Sequence, residues 1–151
     1  MSEARPLPIQ ATGIVLGSCG LVIRGPSGAG KSLLALDLMT DWEQRGKPAF
    51  LVGDDRLDLQ AADEAVHMHA PPILAGRIEL RGLGIVTRPC IARAQVHLVV
   101  DLVPDLLRMP EPEAFRTELL GVGLPRCPVP ARGVADPAHQ YLLVLEALRQ
   151  V

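Results

Sequence analysis

Eight consecutive residues, Gly25-Pro26-Ser27-Gly28-Ala29-Gly30-Lys31-Ser32, carry the clearest chemistry in the chain, a complete G-x-x-x-x-G-K-[ST] pattern. Glycines allow a short turn to aim successive backbone N–H groups at phosphate oxygens, and a helix beginning at its end adds the positive end of its dipole. In this pattern the Lys31 ammonium reaches the β and γ phosphates and the Ser32 hydroxyl ligates Mg²⁺. Leu21-Val22-Ile23 before the loop and Leu33-Leu34-Ala35-Leu36 after it supply the strand and helix the pattern needs. The chain is expected to bind a nucleoside triphosphate. Lysine occurs elsewhere only at Lys47, against thirteen arginines, so its place in the loop is selective.

Other candidates are acidic. Asp54-Asp55 follow the apolar run Ala49 to Gly53, at the carboxyl end of a strand, where polar groups facing a phosphate loop gather. One aspartate there can hold Mg²⁺ through water or take the proton of an attacking hydroxyl, and the same pair also suits the start of a turn. Glu79 and Arg81 alternate with Ile78 and Leu80, which from spacing alone describes a solvated strand face. His67 and His69 share a face without a third residue at metal-ligand spacing.

Positioning these groups requires a sheet. Residues 12 to 17 and 20 to 24 read as a tight hairpin delivering the chain into the loop. Leu34, Leu38 and Trp42 recur at helical spacing from Ser32 to Arg45, before Gly46 and Pro48. Short strands are expected at 49–53, 57–59, 66–69, 77–80, 85–87 and 96–103. Residues 104–112 read as a proline-rich connection, 113–120 as a short helix and 138–149 as a terminal helix. So many short strands with so few helices exclude a doubly wound sheet and favour a mixed one.

With 151 residues, 48% hydrophobic and 21% charged, the chain reads as one folded domain. A net charge of −2 gives no general attraction to nucleic acid or an anionic membrane. Cys19, Cys90 and Cys127, odd in number and widely spaced, read as reduced, mostly buried thiols. No secretory leader or membrane-length apolar run is visible, so a cytoplasmic protein is expected.

Taken together, GPSGAGKS, the strand ending LVGDDR and the run RIELRGLGIV resemble the catalytic domain of the HPr kinase/phosphorylase family, over about residues 10 to 134. The resemblance implies an α/β, mixed-sheet P-loop fold related to phosphoenolpyruvate carboxykinase, with residues 1–151 as a single catalytic domain lacking the family's N-terminal domain. It implies ATP- and Mg²⁺-dependent phosphorylation of a serine on an HPr-like phosphocarrier, reversible with inorganic phosphate, by a cytoplasmic homo-hexamer. Carried over by motif, Lys31 and Ser32 serve nucleotide and Mg²⁺ and Glu79 is a second Mg²⁺ ligand. Asp54 is the general base, supported by Asp55. Residues 78 to 87, with Arg81, form the signature stretch, and Arg108 stands for the family's catalytic arginine. Two departures are visible. Gln10 replaces a histidine expected beside the acidic pair, and residues 124–133 only approximate the family's P-V-R-P-G-R-N segment, which is tied to phosphorolysis. A small-molecule kinase and a nucleotide sensor without catalysis are the alternative readings.

Overall fold

The computed structural model describes residues 5–151. Apolar, β-branched residues lay down its centre: β2 (Ala11–Leu16) and β3 (Cys19–Arg24) pair antiparallel across Gly17, whose φ of 66° closes the hairpin. β3 leads into the glycine loop and α1 (Lys31–Gln44), then β4 (Ala49–Gly53). Next come β5 (Leu57–Ala62), β6 (Ala65–His69), the hairpin β7 (Arg77–Leu80) and β8 (Gly84–Thr87), β9 (Arg93–Gln95) and β10 (Leu98–Val103). The chain finishes with β11 (Arg116–Leu119), β12 (Val122–Pro130) and α2 (Pro137–Leu148), while β1 (Leu7–Ile9) precedes the central hairpin.

Six strands form the main sheet, in the order β11-β12-β10-β3-β2-β4. β10 is parallel to both β3 and β12, and β2 is antiparallel to both β3 and β4. The carboxyl ends of β3, β4, β10 and β12 therefore open on one edge, which is the edge that matters for chemistry. Ile14, Ile23, Val100 and Val129 point from one face of this sheet onto α1 and α2. Val15, Val22, Val99 and Leu124 point from the other onto Leu57, Leu59, Val66 and Met68 of the four-stranded sheet β1-β5-β6-β9. The expected mixed α/β architecture is present, and no helix among the described residues is long and apolar enough to cross a membrane.

Two segments differ from expectation. Only a 3-10 turn, Pro112–Phe115, occupies the start of the expected helix at 113–120, and Arg116–Leu119 is strand β11. The Arg-Thr-Glu-Leu stretch pairs with residues 122–125, and a β-branched Thr117 suits that pairing better than a helix. Strand β12 escapes a sequence reading because it holds Pro125, Pro128 and Pro130. The Ala131 N–H donates to the Val103 carbonyl at 2.8 Å, so odd-numbered residues face β10. Pro128 and Pro130 fall on the alternate positions, beyond the reach of β11, where no partner needs their missing N–H.

At Gly20 the two layers meet closely. Its N–H donates to His97 Nδ1 at 3.0 Å, its carbonyl accepts from the His97 N–H at 2.8 Å, and a Cβ added there would lie 1.9 Å from the Gln95 carbonyl oxygen. Backbone cannot yield as a flexible side chain can. Gly20→Ala is expected to destabilise the chain by about 1–3 kcal/mol, measured by thermal unfolding. An unchanged midpoint would mean that β9 moves aside freely.

The three cysteines are unpaired. Burial pushes the Cys19 thiol up to about 11 and the Cys127 thiol up to about 12, while Cys90, expected among mostly buried thiols, is exposed.

Candidate active site at the carboxyl edge of the main sheet

The glycine loop spans the gap between the end of β3 and the start of α1. Gly30, the residue before α1, has φ 99°, a left-handed conformation that glycine adopts without steric cost. Lys31 is 7% exposed and folds back over its own loop, its Nζ donating to the carbonyls of Gly25 at 2.9 Å and Pro26 at 3.3 Å. Those two bonds hold the ammonium over the loop in which phosphate oxygens would sit. Gly25, Pro26, Ser27, Gly28 and Ala29 complete the turn, and Ala29 N–H closes it onto the Pro26 carbonyl at 3.1 Å.

A second strand end supplies the carboxylates. Asp54 follows β4 directly, and its Oδ1 accepts hydrogen bonds from the Ser32 hydroxyl at 2.6 Å and the Thr12 hydroxyl at 2.9 Å. Its Oδ2 accepts from the backbone N–H of Glu79 at 3.1 Å. Three elements, α1, β2 and β7, thus converge on one carboxylate. Asp55 differs in every respect. It sits at φ 60°, its side chain is 69% exposed, and its Oδ1 lies 3.9 Å from Lys31 Nζ. Asp is among the few residues that tolerate this backbone region, and such outliers gather at functional sites.

Glu79 and Arg81 project from β7 and the turn after it, both exposed, with Arg81 Nε 4.0 Å from Glu79 Oε1. Glu79 thus reaches the acidic centre through its backbone. Arg108 stands in the segment after β10, on the same sheet edge but exposed. It helps line a cavity of about 740 Å³, together with Leu106, Leu107, Phe115 and Arg126, that no residue of the glycine loop lines. Gln10 is an exposed bend residue, and the side chain that touches the acidic pair from this strand is Thr12, which also accepts the Asp55 N–H at 3.4 Å.

Sequence reasoning passed over Thr12 and a charged cluster behind the loop, and reached Arg132 only as part of the segment 124–133. Thr12 left one signal, a hydroxyl at a fully buried position in an apolar run. Asp101 on β10 lies between Arg24 and Arg126, accepting from Arg24 Nε at 2.7 Å and Nη2 at 2.8 Å and from Arg126 Nε at 2.5 Å. Burial raises the Asp101 carboxyl, but the hydrogen bonds and charges of the two arginines outweigh it and hold the group below the usual carboxylate range. Arg24 is the last residue before the loop, so this cluster anchors the loop's entry to two neighbouring strands.

The residues fit a hard divalent cation. Mg²⁺ takes oxygen ligands, often one or two carboxylates with a hydroxyl, phosphates and waters, and Ser32 already shares its hydroxyl with Asp54. A cluster of three or more His, Cys, Asp or Glu is absent among the described residues.

Comparison with known proteins decides the family. Residues 9–132 match the model described as the HPr Serine kinase C-terminal domain. The chain belongs to that family. It is 32% identical over 140 residues to the HPr kinase/phosphorylase of Clostridium novyi (strain NT), covering 85% of this chain and 42% of that protein. The Geobacillus thermodenitrificans (strain NG80-2) HPr kinase/phosphorylase is 34% identical over 139 residues, covering 84% and 42%. This member of the HPr kinase family thus spans under half the length of those curated relatives. Among solved structures, the Hpr(Ser) kinase/phosphatase from Coxiella burnetii superposes with a TM-score of 0.75 at 26% identity, covering 95% of this chain and 97% of that one. The mixed-sheet fold of the HPr kinase catalytic domain is therefore the fold of this chain.

Proposed function

We propose that this chain is an ATP- and Mg²⁺-dependent protein serine kinase that phosphorylates an HPr-like phosphocarrier in the cytoplasm, with residues 1–151 forming a single catalytic domain. The observation that carries the reading is the meeting of Lys31, Ser32, Asp54 and Asp55 on one sheet edge. Family membership supports an HPr-like carrier as the substrate. The names of the relatives also support reversal by inorganic phosphate, and the resemblance supports a homo-hexamer, which light scattering would test.

The division of labour follows from hydrogen bonding. Asp54 gives its oxygens to the Ser32 and Thr12 hydroxyls and the Glu79 N–H, which suits a carboxylate that orients Ser32 toward Mg²⁺. Asp55 keeps an exposed carboxylate beside Lys31, which suits a base that accepts the proton of the substrate serine as its oxygen attacks the γ phosphorus. This exchanges the roles that the resemblance assigns to the pair. Lys31 and the loop N–H groups neutralise the γ phosphoryl as its bond to the β-phosphate oxygen breaks and ADP leaves. Bound Mg²⁺ would add further neutralisation of the phosphate charge, held by Ser32 with Glu79 at hand. Arg81 and Arg108, both exposed on this side of the molecule, are proposed to meet substrate phosphate.

The testing experiment incubates the chain with MgATP and purified HPr-like carrier and locates the phosphate by mass spectrometry. A phosphoserine on the carrier is expected, and transfer only to small hydroxyl compounds would overturn the protein-kinase reading. Within this assay, Glu79→Gln should raise the Mg²⁺ concentration needed for half-maximal rate by about tenfold, the low end for loss of a metal-orienting group. An unchanged Mg²⁺ titration would return Glu79 to a solvated strand face.

A further inference from the structure

Arg132 follows β12 in the segment 124–133, and the steps proposed above for phosphoryl transfer to serine give it no role. Its placement is nonetheless tightly determined. Its backbone N–H donates to the Ala29 carbonyl of the glycine loop at 3.3 Å, and its Nη2 donates to Asp37 Oδ2 on α1 at 2.9 Å. The side chain packs on Gly30 so closely that a Cβ there would stand 3.1 Å from the Arg132 Cβ and 3.4 Å from its Nε. Its own turn is pinned on both sides, by Ala131 N–H on the Val103 carbonyl at 2.8 Å and by the N–H groups of Val134 and Ala135 on the Ala131 carbonyl at 2.9 and 3.2 Å. The Nε is buried and has no acceptor among the described residues. An unsatisfied buried donor persists where the other contacts of a side chain dictate its position.

We propose that Arg132 is a positioning residue of the phosphate loop: with Asp37 it straps the closing turn, Ala29-Gly30, to the first turns of α1, so that the loop is shaped for phosphate before nucleotide arrives. The inference rests on the reading of this loop as the MgATP site. A loop already shaped loses less freedom when it binds. The strap shapes a turn that holds phosphate in ground and transition states alike, while Lys31, which it does not touch, meets the charge that develops on transfer. Loss of the strap therefore weakens nucleotide binding and leaves the maximal rate in place.

Calorimetric titration with MgATP, paired with the transfer assay, tests this. Arg132→Ala and Asp37→Asn are each expected to weaken MgATP binding by about fivefold, the upper range for a partly exposed ion pair. The double variant should be no weaker than the weaker single, since both remove one strap. Arg132→Lys should bind within about twofold of the parent, because an ammonium can still reach Asp37 while the backbone bond to Ala29 is retained. Maximal transfer rates should stay within about twofold throughout. Unchanged binding in Arg132→Ala, additive losses, a lysine variant as weak as the alanine one, or a rate loss as large as the binding loss would each overturn the strap. Should Arg132→Ala fail to fold, Asp37→Asn, an exposed side chain, carries the test with Arg132→Lys. A parent chain that binds no MgATP would instead sink the functional reading beneath it.

Discussion

Lys31→Ala is expected to reduce phosphoryl transfer by about a hundred- to a thousandfold, the usual loss when one preorganised charge-stabilising donor is removed. Two observations make the effect large. The ammonium is held over the loop by the Gly25 and Pro26 carbonyls, and its side chain is only 7% exposed, so no mobile surface cation can replace it. Of the fifteen basic residues, the other lysine, Lys47, lies beyond the far end of α1 with its ammonium 5.4 Å from the centre of the Trp42 ring. Truncation to alanine also empties volume beside the loop, so Lys31→Met, which keeps the stem, separates charge from packing. Both variants should lose activity alike while retaining the parent circular-dichroism spectrum. A methionine variant with parental activity would show that the loop is not the reacting centre.

The second large effect concerns the acidic pair, whose members should fail in different ways. Asp55→Asn is expected to slow transfer by about 10²- to 10⁴-fold at unchanged MgATP affinity, because an amide cannot accept the serine proton. Asn also tolerates the φ of 60° at this position, so the backbone is kept. Asp54→Asn should instead shift the Mg²⁺ requirement upward, since the Ser32 and Thr12 hydroxyls and the Glu79 N–H lose a charged acceptor. Rates measured across Mg²⁺ concentrations separate the two. If Asp54→Asn lost turnover with an unchanged Mg²⁺ curve while Asp55→Asn stayed active, Asp54 would be the base, as the family resemblance implies.

Local signals made the loop, the central hairpin and α1 legible in the sequence. Glycine spacing, apolar runs and helical periodicity act over a few residues, and the chain obeys them from Thr12 to Gln44. The acidic pair was visible as a position, and its two roles came from the family resemblance and not from the residues themselves. Their difference depends on Thr12 and Ser32, which are 42 and 22 residues away from Asp54, and on one backbone angle at Asp55. Strand β12 was hidden by its prolines, of which Pro128 and Pro130 are tolerated because they lie beyond the residues that pair with β11. Arg132 was legible only as part of the segment 124–133. Its contacts to Ala29 and Asp37 arise when β12 docks beside β10 and brings its carboxyl end to the loop.

The central proposal is that the sheet edge is a MgATP-dependent serine kinase site. Its most direct test follows the γ phosphate: labelled MgATP, the chain and an HPr-like carrier are mixed, and label is counted on the carrier and on a carrier whose acceptor serine is alanine. The predicted result is label on the serine carrier alone, lost when Lys31→Met replaces the parent chain. Equal label on both carriers, or transfer that survives Lys31→Met, would contradict it.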